Sequence, residues 1–287
     1  MTKLLYAIAI LSNVAQASLI KFLGTNSNFS LYDMIFVRAL VFFIIITPFA
    51  IKQKFYLYIN RKNILKNLIV SMLQIIGLYC WHAGIKGVPL NNAVIINYFI
   101  PILIIILSSI ILKEKIYKEI WIGSAICIGC VFALYENNVG LKFNYYYLIL
   151  FLDLFCYSLS TVFRKQLMLD KENSFSTIYF TYIMMIIISF ALAPNALSHI
   201  TSENINFIAI TVVVYCMYSS FLFYGHYKSE ISKLQYIRYL KIPFSIMLSY
   251  LLLHENTSAK QIIIAIIIVI TSIYLSYKDS ANNKIRN

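Results

Sequence analysis

The chain has 287 residues, of which 61% are hydrophobic and only 12% charged, with a formal net charge of +13; a soluble domain carries about a quarter charged residues. No soluble core can use that much apolar surface. Lys and Arg punctuate the ends of apolar runs and form no basic stripe or domain, so the charge does not mark a nucleic-acid binder.

The apolar runs are about 18 to 22 residues long, the length a helix needs to cross roughly 30 Å of hydrocarbon at 1.5 Å per residue. The first, Leu4 to Phe22, has no small-residue cleavage site after it and reads as a helix, not a signal peptide. The second, Ser30 to Ile51, carries Arg38 about eight residues deep, roughly 12 Å from its outer end and beyond comfortable snorkelling reach. Lys66 to Gly84 ends beside Trp81. Asn91 to Leu112 contains Asn97, Tyr98 and Pro101, and Glu119 to Tyr135 contains Cys127-x-x-Cys130, a pair expected to pack as small hydrophobes. Tyr145 to Phe163 opens on three tyrosines, as an interfacial aromatic belt does, and holds Asp153 too deep to reach either surface. Phe175 to Pro194 and Asn206 to Tyr224 follow. Leu234 to His254 carries Arg238, Tyr239, Lys241 and Pro243, and Lys260 to Tyr277 completes ten spans of an all-α integral membrane protein.

The basic residues orient these spans. With both termini in the cytoplasm, 17 Lys and Arg fall inside, among them Arg164, Lys165, Lys228 and Lys233. Four fall outside (Lys21, Lys86, Lys142 and Lys260), and Arg38, Arg238 and Lys241 lie within spans. This is the positive-inside bias of a multi-pass protein of the bacterial inner membrane.

An internal repeat is visible when Ala83 to Glu114 is laid over Tyr224 to Glu255 at a constant offset of 141 residues. Leu112-Lys113-Glu114 meets Leu253-His254-Glu255, Asn97 meets Arg238, Tyr98 meets Tyr239, and Pro101 falls one position from Pro243. Two halves are expected, 1–139 and 140–287, each with five spans. An odd number of spans inverts the second half relative to the first, and inverted repeats place a binding site near the bilayer midplane. Both prolines are expected to break their helices beside a cavity, as gating or kink points.

A charge at bilayer depth costs about 2.5 to 3.5 kcal/mol on insertion scales, which makes an intramembrane ionisable residue a functional candidate. Arg38, Arg238 and Lys241 are expected to hold anionic groups; Arg238 and Lys241 lie three apart, on one face of a helix. Asp153 is expected to hold a cation or a proton, or to pair with Arg38 or Lys241. Trp81, Tyr98 and Tyr239 offer aromatic walls, and Asn97 a cavity hydrogen bond. Asp33 and Lys21 lie near outer helix ends, where exposure is expected. Glu114 and Glu255 read as boundary charges.

There is no G-x-x-x-x-G-K-[ST] loop, no metal spacing among the four histidines and no nucleophile elbow, so neither an ATP-driven pump, a cofactor, a metal site nor an enzyme is expected. The expected partners are a small-molecule substrate and the lipid bilayer; a homodimer is compatible with the chain, and nucleic acid is not called for. From a different class, a membrane scaffold or lipid-handling subunit would use the same charges as structural pairs.

The segment Asn91-Asn-Ala-Val-Ile-Ile-Asn-Tyr-Phe-Ile-Pro through Lys113-Glu114, and its echo from Tyr236-Ile-Arg-Tyr-Leu to His254-Glu255, resemble the fourth and ninth helices of the EamA-type drug/metabolite transporter superfamily. Phe36-Val-Arg-Ala-Leu with Thr47-Pro48-Phe49 resembles its second helix. The resemblance covers nearly the whole chain and implies the two-times-five organisation and alternating access. Leu19-Ile-Lys-Phe-Leu-Gly24, Trp81-x-x-Gly84 and Arg238-Tyr239-Leu240 further resemble the S-adenosylmethionine uptake carriers of that superfamily, which implies import of that metabolite, in exchange for S-adenosylhomocysteine. Those carriers continue Arg-Tyr-Leu with an acidic residue where this chain has Lys241. The same fold also supports export of amino acids or amphiphilic metabolites by proton exchange.

Overall fold

The computed structural model describes residues 2–26, 30–52, 61–87, 96–134, 145–169, 174–253 and 259–286, and all regular structure within them is helical. Ten α-helices occur among the described residues: α1 (Thr2–Asn26), α2 (Leu31–Lys52), α3 (Arg61–Gly87), α4 (Ile100–Ile111), α5 (Lys118–Leu134), α6 (Tyr145–Leu169), α7 (Ser174–Leu192), α8 (Ile205–Lys228), α9 (Lys241–Leu253) and α10 (Ala259–Arg286). A 3-10 helix, Ser232–Leu240, runs directly into α9. Asn91, Asn92, Lys142, His254 and Glu255, and the side chains of Lys21 and Lys86, lie outside the described residues.

The radial distribution of side chains is that of a membrane protein. Ile44, Phe49, Ile110, Phe151, Phe155, Ile187, Ile210 and Ile273 stand exposed on the outer faces, while Gln16, Arg38, Asp153, Arg164 and Arg238 are buried. Lipid tails reward the apolar exterior, and polar groups survive only where protein encloses them. Four helices among the described residues are long and apolar enough to cross a membrane, over Tyr32–Lys52, Ile64–Gly84, Tyr145–Leu169 and Ile205–Lys228. Shorter apolar stretches occupy Ile100–Ile111, Thr177–Leu192 and Ile262–Leu275.

Helix α1 packs on α8, α3 on α6, α2 on α7, and α5 on α10. Helix α4 packs on α6, as the 3-10 helix and α9 pack on α1, and α3 touches α7 as α8 touches α2. Exchanging each helix for the one five places along, with the 3-10 helix counted together with α9, therefore maps these pairings onto one another.

Helix ends have local causes. Ser30 and Asp33 form a reciprocal capping box at the start of α2: the Asp33 N–H donates to Ser30 Oγ (3.1 Å) and the Ser30 N–H to Asp33 Oδ2 (2.8 Å). Asp33 Oδ2 also lies 2.9 Å from His199 Nδ1, which ties α2 to the α7–α8 connection. Asp33 is buried by these contacts, whereas its position at a helix end had pointed to exposure. Helix α4 ends with Lys113 at φ 54°, and the Glu114 N–H reaches back to the Ser108 carbonyl (3.3 Å), a left-handed cap at a residue that is not glycine.

The expected single spans four and nine are each interrupted. Before α4 the chain turns at Tyr98–Phe99, and Pro101 is the second residue of the new helix. Before α9 it is a 3-10 helix, and Pro243 is the third residue of α9. Each proline thus stands in the first turn of its α-helix. A proline is tolerated in the first turn of an α-helix, where the N–H groups have no partner within that α-helix.

Candidate functional site

Helix α6 carries one polar stripe, Asp153, Tyr157, Ser160, Thr161 and Arg164, at the three- and four-residue spacing that aligns side chains on one face. Helix α8 presents Tyr215, Tyr218, Ser219, Phe223 and His226 at the same spacing. Together with Gln74 of α3 and Tyr182 of α7, the Tyr157-to-Arg164 part of the α6 stripe and the α8 stripe enclose a buried polar cavity of about 30 Å³. That is room for a water or two and far less than a metabolite fills. Its walls are cross-linked: Tyr182 and Tyr215 hydroxyls lie 2.7 Å apart, and the Tyr182 hydroxyl donates to Ser219 Oγ at 3.2 Å.

Three guanidinium groups surround this tyrosine cluster. Arg238, at the end of the 3-10 helix, donates through Nε to the Tyr6 hydroxyl (2.9 Å) and through Nη2 to the Tyr157 hydroxyl (3.1 Å), joining α1 and α6. Arg38 of α2 lies over the Tyr215 ring, 4.9 Å from its centroid, with its Nε unpartnered. Arg164 lies 5.0 Å from the Phe223 centroid and lines the cavity itself. The charge count had put Arg164 and Lys165 at the cytoplasmic surface, but α6 continues past Phe163 to Leu169 and both side chains are buried. Lys165 caps the end of α8, its Nζ donating to the carbonyls of His226 (2.6 Å) and Ser229 (2.9 Å). Lys233, counted with them, is also buried and pairs with Glu230 at 3.1 Å.

Asp153 is buried one turn before Tyr157, at a close approach of two helices: a Cβ added at Gly77 of α3 would stand 3.3 Å from both Asp153 Oδ1 and the Tyr157 nitrogen. Glycine makes this approach easy, since any side chain at position 77 would require α6 to give by a few tenths of an ångström. Lys241, half-buried at the first turn of α9, is within electrostatic reach of Asp153, but no direct ion pair joins them. Arg238 lies in the last turn of the 3-10 helix and Lys241 opens α9 three residues on, with the Lys241 N–H bonded back to the Arg238 carbonyl across the change from 3-10 to α geometry.

The remaining predicted residues stand apart from the tyrosine cavity. Trp81 packs against the cluster of Ile100, Ile104 and Leu150; Tyr239 is fully buried among Cys127, Cys130 and Ile268, with Tyr98 packed on the same cluster. Asn97 is half-buried at the end of a helical stretch, just before the Tyr98–Phe99 turn. Pro243 lines an outward-opening apolar groove of about 370 Å³ between α9 and α10, and Pro101 is buried in the first turn of α4. Among the described residues no cluster of three metal-binding side chains occurs.

Glu114 is more than a boundary charge. Its carboxylate accepts the N–H groups of Ile231 and Ser232, each at 3.0 Å, capping the 3-10 helix from the end of α4. The left-handed turn at Lys113 aims it there.

Sequence reasoning missed Arg164 and the tyrosines Tyr157, Tyr182, Tyr215 and Tyr218. The spacing from Asp153 to Arg164 was the available signal, since one helical face collected five of the polar residues of that stretch, Ser158 excepted.

Comparison with known proteins agrees with this architecture. A solved crystal structure superposes with a TM-score of 0.70 over 94% of this chain and 94% of its own, at 16% identity, and so shares the fold. The S-adenosylmethionine uptake transporter of Rickettsia conorii is 21% identical over 281 residues, covering 96% of this chain and 92% of its own; that of Rickettsia prowazekii is 22% identical over 269 residues, covering 90% and 86%. An uncharacterized transporter of Acidianus ambivalens is 32% identical over 132 residues, 46% of this chain and 49% of its own. The EamA-like transporter family matches residues 3–135 and again 144–277, and the chain is therefore a multi-pass membrane protein belonging to that family.

Proposed function

We propose that this protein is a secondary carrier that takes up S-adenosylmethionine across the bacterial inner membrane, in exchange for S-adenosylhomocysteine, with both termini in the cytoplasm and its halves, 1–139 and 140–287, related as inverted repeats. The observation that carries the reading is a tyrosine-walled polar cavity, ringed by three buried guanidinium groups, inside a helical bundle whose outer faces are apolar. Such a chamber has no structural use that an apolar core would not serve at lower desolvation cost. The symmetric helix pairings, and the interruption before Pro101 matched by the one before Pro243, support the inverted relation, since carriers of this kind place broken helices at the central site.

The relatives' names support this cargo, and it is compatible with the chemistry of the walls. A sulfonium cation is attracted to tyrosine faces much as ammonium groups are, and an adenine ring stacks on them. Ring faces can thus serve the cation in a chain that carries Lys241 where the family resemblance implies an acid, with Asp153 one turn from Tyr157. The cavity is too small for the cargo as it stands, so loading requires the α6 and α8 walls to part, which is the expectation for a carrier between its open states.

Reconstituted proteoliposomes offered S-adenosylmethionine, amino acids and nucleotides test the proposal. Saturable uptake of S-adenosylmethionine, accelerated when S-adenosylhomocysteine is loaded inside, is the expected result. Clear movement of another solute with none of S-adenosylmethionine would remove the named cargo.

A further inference from the structure

The three guanidinium groups around the cavity differ in what their donors do. Arg238 spends its Nε and Nη2 on two tyrosine hydroxyls. Arg38 lies behind Tyr215, against the ring and outside the cavity lining. Arg164 is 4% exposed, lines the cavity directly, and has neither Nε nor Nη2 engaged. Its electrostatic neighbours are the hydroxyls of Tyr157, Tyr182, Tyr218 and Tyr215, and no carboxylate among the described residues pairs with it. The other wall group with unpartnered nitrogens is His226, whose ring cannot present two parallel donors to one carboxylate. Ser160 and Thr161 both give their hydroxyl protons to the Tyr157 carbonyl, and the adjacent Lys165 is committed to the end of α8. A buried cation without a counter-charge is strongly unfavourable. An arginine held in this way presents a planar fork whose geometry matches a carboxylate.

We propose that Arg164 is the seat for the carboxylate of the transported molecule, pairing with it through Nε and Nη2, the two donors that no protein group engages. The ring of Phe223 fixes the guanidinium plane from one side. This deepens the carrier reading above and rests on it for the choice of cargo. It makes Arg164 a specificity-determining residue: the carrier distinguishes amino-acid metabolites from their decarboxylated counterparts, because loss of the carboxylate leaves a buried charge unpaired while the rest of the ligand is unchanged.

The test compares uptake of S-adenosylmethionine and of decarboxylated S-adenosylmethionine by the wild-type protein, Arg164→Gln, Arg164→Lys and Arg38→Gln, together with thermal unfolding of each without ligand. Wild type is expected to prefer the carboxylate form by about tenfold or more, the worth of a charge-assisted pair. Arg164→Gln should abolish that preference by losing S-adenosylmethionine uptake while keeping the decarboxylated form within about twofold, and it should unfold at the same or a higher temperature, since it removes an unpaired buried charge. Arg164→Lys, which keeps the charge but not the fork, should retain part of the preference. Preference intact in Arg164→Gln, or lost instead in Arg38→Gln, overturns the assignment. Where Arg164→Gln fails to fold, undiminished preference in Arg164→Lys overturns it and a several-fold reduction supports it. If wild type carries neither compound, the cargo reading falls by itself and the seat is judged on unfolding alone: a lower temperature for Arg164→Gln overturns it, an equal or higher one supports it.

Discussion

Arg238 and Arg164 are both buried and both act near Tyr157, yet they belong to different kinds of place. Around Arg238, hydroxyls from α1 and α6 complete the guanidinium, and the result is a strut between three elements. Around Arg164, aromatic rings support the guanidinium while its donors face a cavity. Depth alone does not separate a structural charge from a functional one. What separates them is whether the donors are already used.

That contrast breaks most sharply on Arg238→Gln. Losing two charge-assisted hydrogen bonds to Tyr6 and Tyr157 should cost about 3 kcal/mol of stability, read as a lowered unfolding temperature in detergent, with Arg164→Gln as the undiminished control. Equal losses in the two variants would erase the distinction. A smaller loss, about 2 kcal/mol, is expected of Glu114→Ala, which strips the acceptor from the Ile231 and Ser232 N–H groups and frees the start of the 3-10 helix that carries Arg238. Chemical denaturation would show it, and an unchanged midpoint would mean that water replaces the carboxylate. The smallest effect has the opposite sign. Lys113→Gly relieves a left-handed backbone, φ 54°, that L side chains resist, and should raise stability by up to about 1 kcal/mol, provided the turn still aims Glu114.

Much of the fold was legible because the bilayer is a demanding solvent. Runs such as the one around Phe42 and Ile46 had to be helices, since an unpaired backbone group in hydrocarbon is too costly. The interruptions before Pro101 and Pro243 were legible as prolines but not as restarted helices, because a sequence does not say whether the chain bends through a proline or begins a new helix at it. The 3-10 geometry of Ser232–Leu240 depends on the Glu114 cap at its start and on burial along its length, both supplied from distant sequence. Asp33 was misjudged for the same reason, since His199 lies far along the chain and closes over it.

Composition and the spacing of apolar runs determined by themselves that the chain lives in a membrane as a bundle of helices, and the offset between Ala83 and Tyr224 pointed to its repetition. These are one-dimensional properties, set by the length and polarity of each segment against the thickness of the lipid. Which buried arginine has its donors engaged and which has them open was decided only by tertiary structure. The Arg238 donors are filled by Tyr6, far away in sequence, and by Tyr157, while those of Arg164 are left open by the packing of α6 against α8. Hydrogen-bond satisfaction is a property of neighbours in space, and two arginines at similar depth carry no mark in the sequence to tell them apart.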